Sequence, residues 1–281
     1  MQKQITGQCC DEERSLYALS DAEVMGCTFA GAADGESALK ESRRIKAHNC
    51  KFSLRYPLWH AEDFLLSDSH MEATARAPMW YTRLGTLRHC RIEAPKALRE
   101  CDDTLIEGSV ISSDEFGWRC RTLTMRNSSA AGSYFLFETK NLEISKLTME
   151  GKYSFQYVEN ATLDDCTLHT KDAFWHAKNV TVRNSTVEGE YLGWYSEGLT
   201  LINCRIKGTQ PFCYCQKLRL IGCTMEDTDL SFEYSEVEAD VEGPILSVKN
   251  PKSGFIRAHG FGEIIRENSV MDTDCRIETK G

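Results

Sequence analysis

The chain has 281 residues, 41% of them hydrophobic, with six prolines and nineteen glycines. That composition excludes a collagen-like or disordered polypeptide. A formal charge of −9 excludes the lysine- and arginine-rich surfaces that hold nucleic acid or anionic lipid, so neither is expected as a partner. The opening residues Met1 to Cys10 lack the apolar run of an export signal, and no stretch has the length and apolarity to span a bilayer. A cytoplasmic protein is expected.

Taken in chain order, residues 1–15 read as an N-terminal cap, 16–243 as a succession of short rungs, and 244–281 as a C-terminal cap, all in one domain. The rungs are defined by a period. Ile106, Met125, Ile144, Leu163, Val182, Leu201 and Leu220 are each 19 residues apart, and looser steps carry the series back through Leu87, Leu66, Ala47 and Val24. Such self-similarity is the mark of a solenoid, in which equivalent residues of successive turns stack. Eleven or twelve rungs of 19–21 residues are predicted.

Each column of this frame has its own chemistry. Two residues before the anchor stand Ile45, Phe64, Leu123, Leu142, Val180 and Leu218, and five after it Phe52, Ile92, Met149, Leu168 and Ile206. Alternation across the anchor predicts a strand with one buried face. Two residues after the anchor, Gly26, Asn49, Asp68, Gly108, Asn127, Asp165, Asn184, Asn203 and Gly222 supply residues that tolerate a left-handed bend. The next position is small, and six of the thirteen cysteines fall there: Cys27, Cys50, Cys90, Cys166, Cys204 and Cys223. They read as stacked core residues. No Cys-x-x-Cys spacing occurs, so no metal site and no cofactor is expected.

Seven residues before the anchor lie all five tryptophans, Trp59, Trp80, Trp118, Trp175 and Trp194, with Arg99, Phe137, Gln156, Cys213 and Phe232. This column predicts a third strand per coil, hence a right-handed parallel β-helix, the hand being the general rule for parallel crossovers. The rival fold is a leucine-rich-repeat solenoid, because Leu199–Ile206 fits that core pattern. Small residues such as Ser196 and Ala177 replace the upstream leucine, and no 3.6-residue spacing occurs, so the β-helix is preferred.

The segments Glu13–Ala22, Lys171–Val182, Gly189–Ser196, Ser247–Gly254 and Gly262–Ile265 together resemble an uncharacterised bacterial family of the pectate-lyase-like superfamily. The resemblance implies a single-stranded right-handed β-helix and brings no catalytic residues. The polygalacturonase pattern is only echoed, in Asp164-Asp165, His259-Gly260 and Arg205-Ile206-Lys207, out of order and without Asn-Thr-Asp.

Six residues before the anchor lies the column offered as a ligand surface: Glu100, Arg119, Glu138, Tyr157, His176, Tyr195 and Tyr214, with His60, Tyr81 and Glu233. It is rich in charge, so it is assigned to solvent and the tryptophan column to the interior. The consecutive rings suit a saccharide chain. A ladder that stabilises only the sheet is the more ordinary use of such stacked rings. Glu100 and Glu138, two rungs or about 9.6 Å apart, approach the separation of an inverting glycosidase's carboxylates. Arg119 between them favours a surface ion-pair ladder instead. His60 and His176 are six rungs, about 29 Å, apart and share no metal. The catalytic residues are left unassigned, and the function is unknown from sequence. The candidates are an oligosaccharide-binding or -acting β-helix and a scaffold for a protein partner.

Overall fold

The structure, a computed structural model, describes residues 3–281. The chain divides into two compact units, Met1–Glu143 and Ile144–Gly281, built alike.

In the first unit the strands Lys3–Thr6, Ser20–Met25, Arg43–His48, Glu62–Ser67, Arg83–Arg88, Asp102–Glu107 and Arg121–Ser133 pair in parallel, each with the next. Their register superimposes Ile5, Val24, Ala47, Leu66, Leu87, Ile106 and Met125, the anchor column of the sequence. Alternation decides which face is buried: in Arg43–His48, Ile45 and Ala47 are buried while Arg44 and Lys46 are exposed. A second, shorter strand follows each bend, as in Thr28–Phe29, Lys51–Phe52 and His70–Met71.

In the second unit Glu159–Asp164, Lys178–Arg183, Thr200–Ile202, Leu218–Glu226, Glu236–Val241, Ser253–Ala258 and Arg276–Thr279 do the same. Seven main strands in each unit, with Lys140–Lys152 containing the boundary, make fifteen coils. The right-handed parallel β-helix expected from the period is the fold adopted. Among the described residues there is no α-helix, only a short 3₁₀ turn at Ala73–Ala75, which excludes the leucine-rich-repeat alternative.

Both expected caps are coils. Lys3–Thr6 pairs in register with the strand after it, so residues 1–15 contain a first turn. Glu236–Val241, Ser253–Ala258 and Arg276–Thr279 continue the sheet through the segment 244–281. The period failed there because the coils shorten and lengthen, not because the pairing stops. The third side of the coil also differs from expectation. It is a strand at Met79–Trp80, Leu98–Arg99 and Phe116–Trp118 in the first unit; in the second it is a run of tight turns as far as Tyr234, continued by the paired strands Pro244–Lys249 and Gly260–Ile265.

Packing follows the columns. Phe29 stacks on Phe52 with ring centroids 4.9 Å apart, and Phe155 on Phe174 at 5.2 Å, all four fully buried. Each such side chain contributes about 1.5–3 kcal/mol through burial. The small column is bonded as well as packed: the amide nitrogens of Cys50, Cys90 and Cys166 donate to Ser69, Ser109 and Ser185 of the next coil at 2.9–3.1 Å. All six cysteines of that column are buried, as are Cys101, Cys120 and Cys215.

Candidate functional site

Left-handed residues recur at up to five positions of a coil, as at Asp172, Phe174, His176, Asn179 and Asn184 in the second unit. Two of them take the expected types: Asn49, Asp68, Asn184 and Asn203 at one, Asp63, Asp103, Asn160 and Asn179 at the other, all with φ of 50–57°. A third is the column assigned to solvent. There His60, Tyr81, Glu100, Arg119, Glu138, Tyr157, His176, Tyr195 and Tyr214 adopt φ of 50–61°. A left-handed conformation costs about 1–2 kcal/mol for a side chain of this kind, so these long residues stand where asparagine or glycine would be easier.

In the second unit the column forms a continuous ring stack. Tyr157 lies on His176 at 4.8 Å, His176 on Tyr195 at 5.0 Å and Tyr195 on Tyr214 at 4.8 Å, with planes within 12° of parallel. Each such contact is worth about 0.5–1.5 kcal/mol beyond burial, enough to offset much of the backbone strain. Backbone bonds from Tyr157, His176 and Tyr195 to Trp175, Trp194 and Cys213 carbonyls, at 2.8–3.0 Å, fix the spacing. Tyr157 and Tyr195 are each 44% exposed. Because the rings cover one another's faces, what reaches solvent is their edges and polar tips. The apolar stacking of sugars on open ring faces, expected from the sequence, is therefore replaced by a row of edges. Among the described residues no protein group receives the Tyr195 or Tyr214 hydroxyl. Burial, then the nearby Glu233, raises the Tyr214 phenol above its usual value.

The tryptophan column does not face inward. Its indoles are half-buried on the outside of the coil, each Nε1–H donating to a backbone carbonyl of the next coil: Trp59 to Ala77, Trp80 to Lys96, Trp118 to Tyr134, Trp175 to Tyr191 and Trp194 to Gln210, at 2.6–2.9 Å. The two polar members fit this arrangement. Gln156 Nε2 makes the same bond, 3.0 Å to the Asp172 carbonyl. Arg99 lies between indoles, its guanidinium carbon 4.4 Å from the Trp80 ring and 4.8 Å from that of Trp118, paired at 2.6 Å with Glu115. Phe232 does not belong to this column, nor Glu233 to the next. Phe232 stacks on Phe212 and Tyr234 on Tyr214, because one residue is inserted before Phe232 and one removed after Tyr234.

In the first unit His60 stacks on Tyr81 at 5.0 Å. Arg119 Nε lies 2.6 Å from Glu138 Oε2, with the two side chains 57% and 39% exposed. The Glu138 bond holds the guanidinium charge and raises the Arg119 pKa, with a smaller contribution from Glu100. Carboxylates set around an exposed guanidinium accept hydrogen bonds, whereas a general acid must hold a proton in a buried setting.

The polygalacturonase-like residues are apart and differently employed. Asp164 pairs with Arg183, Arg205 with Glu226, and His259 with Glu242. His48 Nδ1 lies 2.6 Å from Ser67 Oγ, but no carboxylate orients that imidazole among the described residues. Among those residues, too, no cluster of three or more His, Cys, Asp or Glu side chains could hold a metal ion, and no helix is long and apolar enough to cross a membrane.

One column of the flank escaped the sequence reading. Tyr153, Asp172, Tyr191 and Gln210 stack in register ten residues before the anchor, again left-handed, with φ of 49–60°. Tyr191 meets Trp194 edge to face at 5.6 Å. The signal was available, since Tyr134, Tyr153 and Tyr191 occupy the 19-residue frame.

The family model described as protein of unknown function (DUF3737) matches residues 3–278. No curated protein matches the chain. Among solved structures it is similar to PfbA, a surface adhesin of Streptococcus pneumoniae, at 8% identity, covering 100% of this chain and 85% of that one with a TM-score of 0.38. It is also similar to the periplasmic alginate epimerase AlgG, at 9% identity, 92% and 75% coverage and a TM-score of 0.35. The A-module of the Azotobacter vinelandii mannuronan C-5 epimerase AlgE4 matches at 10% identity, 79% and 73% coverage and a TM-score of 0.31.

Proposed function

We propose that this chain, which belongs to the DUF3737 family of proteins of unknown function, binds an oligosaccharide along the aromatic flank of its second unit. One observation carries the reading. At two left-handed corners the chain uses mainly the short residues that the backbone asks for. Of the bulky residues held left-handed elsewhere, Phe155, Phe174 and Phe212 are buried in the coil, whereas Tyr157, His176, Tyr195 and Tyr214 are strained and half in water. Strain of this kind persists where surrounding structure enforces it, and it gathers at sites of recognition. Their outward edges present phenol and imidazole groups at one coil spacing, about 4.8 Å. Such a row suits a ligand that offers hydroxyls at regular intervals and little apolar face.

A panel of immobilised glycans, followed by calorimetry on any hit, tests this. Binding to at least one oligosaccharide class is expected, and Tyr195→Ala or Tyr157→Ala should weaken it at least about tenfold, or 1.4 kcal/mol. Silence across the panel would remove the saccharide reading and leave the same ring edges to a protein partner.

A further inference from the structure

Beside the ring stack the second unit holds a carboxylate that its own structure leaves unanswered. Asp172 is 6% exposed, yet among the described residues no donor or cation bonds to its carboxylate. Burial, helped by Glu190, raises its pKa above the usual carboxylate value, against the pull of Lys171. The neighbouring lysine is already committed: Lys171 Nζ lies 2.8 Å from Glu190 Oε2. A buried charge without a partner is costly and is normally paired or bonded.

The surroundings indicate what would answer it. In its column Asp172 stands between Tyr153 and Tyr191, bonded in register to the coil above through Asp172 N to Glu190 O at 2.9 Å. The short side chain thus stands between two long phenol-bearing ones. Both rings already accept ammonium groups: Lys152 Nζ lies 5.3 Å from the Tyr153 centroid and Lys171 Nζ 5.1 Å from that of Tyr191. Aromatic faces around a carboxylate are a setting for an organic cation, which gains from the ring quadrupoles and the countercharge together.

We propose that Asp172 takes the protonated amino group of the saccharide ligand, so that the flank selects oligosaccharides carrying free amines. This rests on the reading of the flank as a saccharide surface. Asp172 forms the ion pair, and Tyr153 and Tyr191 border the amine. The ring stack from Tyr157 to Tyr214 holds the rest of the chain by its hydroxyls.

The test is calorimetry with glucosamine oligomers, their N-acetylated counterparts and glucose oligomers, run at several pH values. The glucosamine oligomer should bind at least about tenfold more tightly than the acetylated one, and the ratio should fall with added salt. In Asp172→Asn and in Asp172→Ser the ratio should drop to near one, with near-ultraviolet circular dichroism reporting folded protein in both. Equal affinities in the unaltered protein, with Tyr195→Ala still weakening every oligomer, would overturn the amine inference and leave the saccharide surface standing. If none of these oligomers binds while another glycan of the panel does, the amine inference falls alone; if no glycan binds, both readings fall.

Discussion

Gln156 Nε2 donates to the carbonyl oxygen of Asp172 at 3.0 Å, standing in for the indole N–H that Trp175 gives to Tyr191 at 2.6 Å in the following coil. The column is therefore defined by a bond from one coil to the next, and tryptophan is the commonest side chain that makes it. Gln156→Ala leaves the carbonyl unpaired in a buried setting and should cost about 1–3 kcal/mol in urea unfolding. Gln156→Glu, which cannot donate when ionised, should cost at least as much. A loss within experimental error for both would mean that the bond contributes nothing.

Arg99 behaves as a flat spacer between Trp80 and Trp118 with one end on Glu115. Arg99→Ala should lower stability by about 2 kcal/mol, since it removes packing on two indoles as well as the ion pair. Arg99→Lys keeps the charge but not the planar group and should recover less than half of that. Full recovery by lysine would show that charge alone matters.

By contrast, the exposed pair of Arg119 and Glu138 should be nearly silent. Arg119→Gln is expected to leave the urea-unfolding midpoint within experimental error, at low and at high salt.

Stability should depend on pH through Asp172 in the direction opposite to a salt-bridged carboxylate. Its folded-state pKa is raised, so its stabilising contribution is present below the unfolded value, near 3.9, and is lost as pH rises through the folded value. Asp172→Asn should therefore melt higher than the unaltered protein at pH 7, with the difference shrinking below about pH 4. Glu72 moves the other way, its pKa lowered first by Lys51 and then by Ser53; Glu72→Gln should cost stability at pH 7 and nothing in acid.

The thiols offer a direct check of the coil interior. Of thirteen cysteines, Cys9 is exposed, Cys10 half-buried and the other eleven buried. Burial pushes Cys50, Cys90 and Cys215 up to about 11, which removes thiolate at neutral pH. A thiol reagent should find no more than two reactive cysteines in the native protein and all thirteen in denaturant. Rapid modification of more than two would contradict the stacked core.

The repeat made the fold legible. Parallel coils place residue i over residue i + 19, so burial, bends and small residues recur in the sequence as they do in space, and Ile106, Met125, Val182 and Leu201 could be aligned by counting. Counting fails where a coil changes length. That is why the segment holding Ser253–Ala258 reads as a cap and why counting sets Phe232 and Glu233 one residue out of register; Ile5, by contrast, pairs with Val24 at the regular spacing, so the first coil lies within the frame. The direction of a side chain at a tight corner was also beyond counting. Left-handed residues at Asp172, Phe174 and His176 break the simple alternation of a strand, so the tryptophans lie on the outer surface and Asp172 is buried in a column between tyrosines. Period and composition fixed which residues stack. Only the backbone torsions at the corners decided which way they point, and the candidate site is made of those directions.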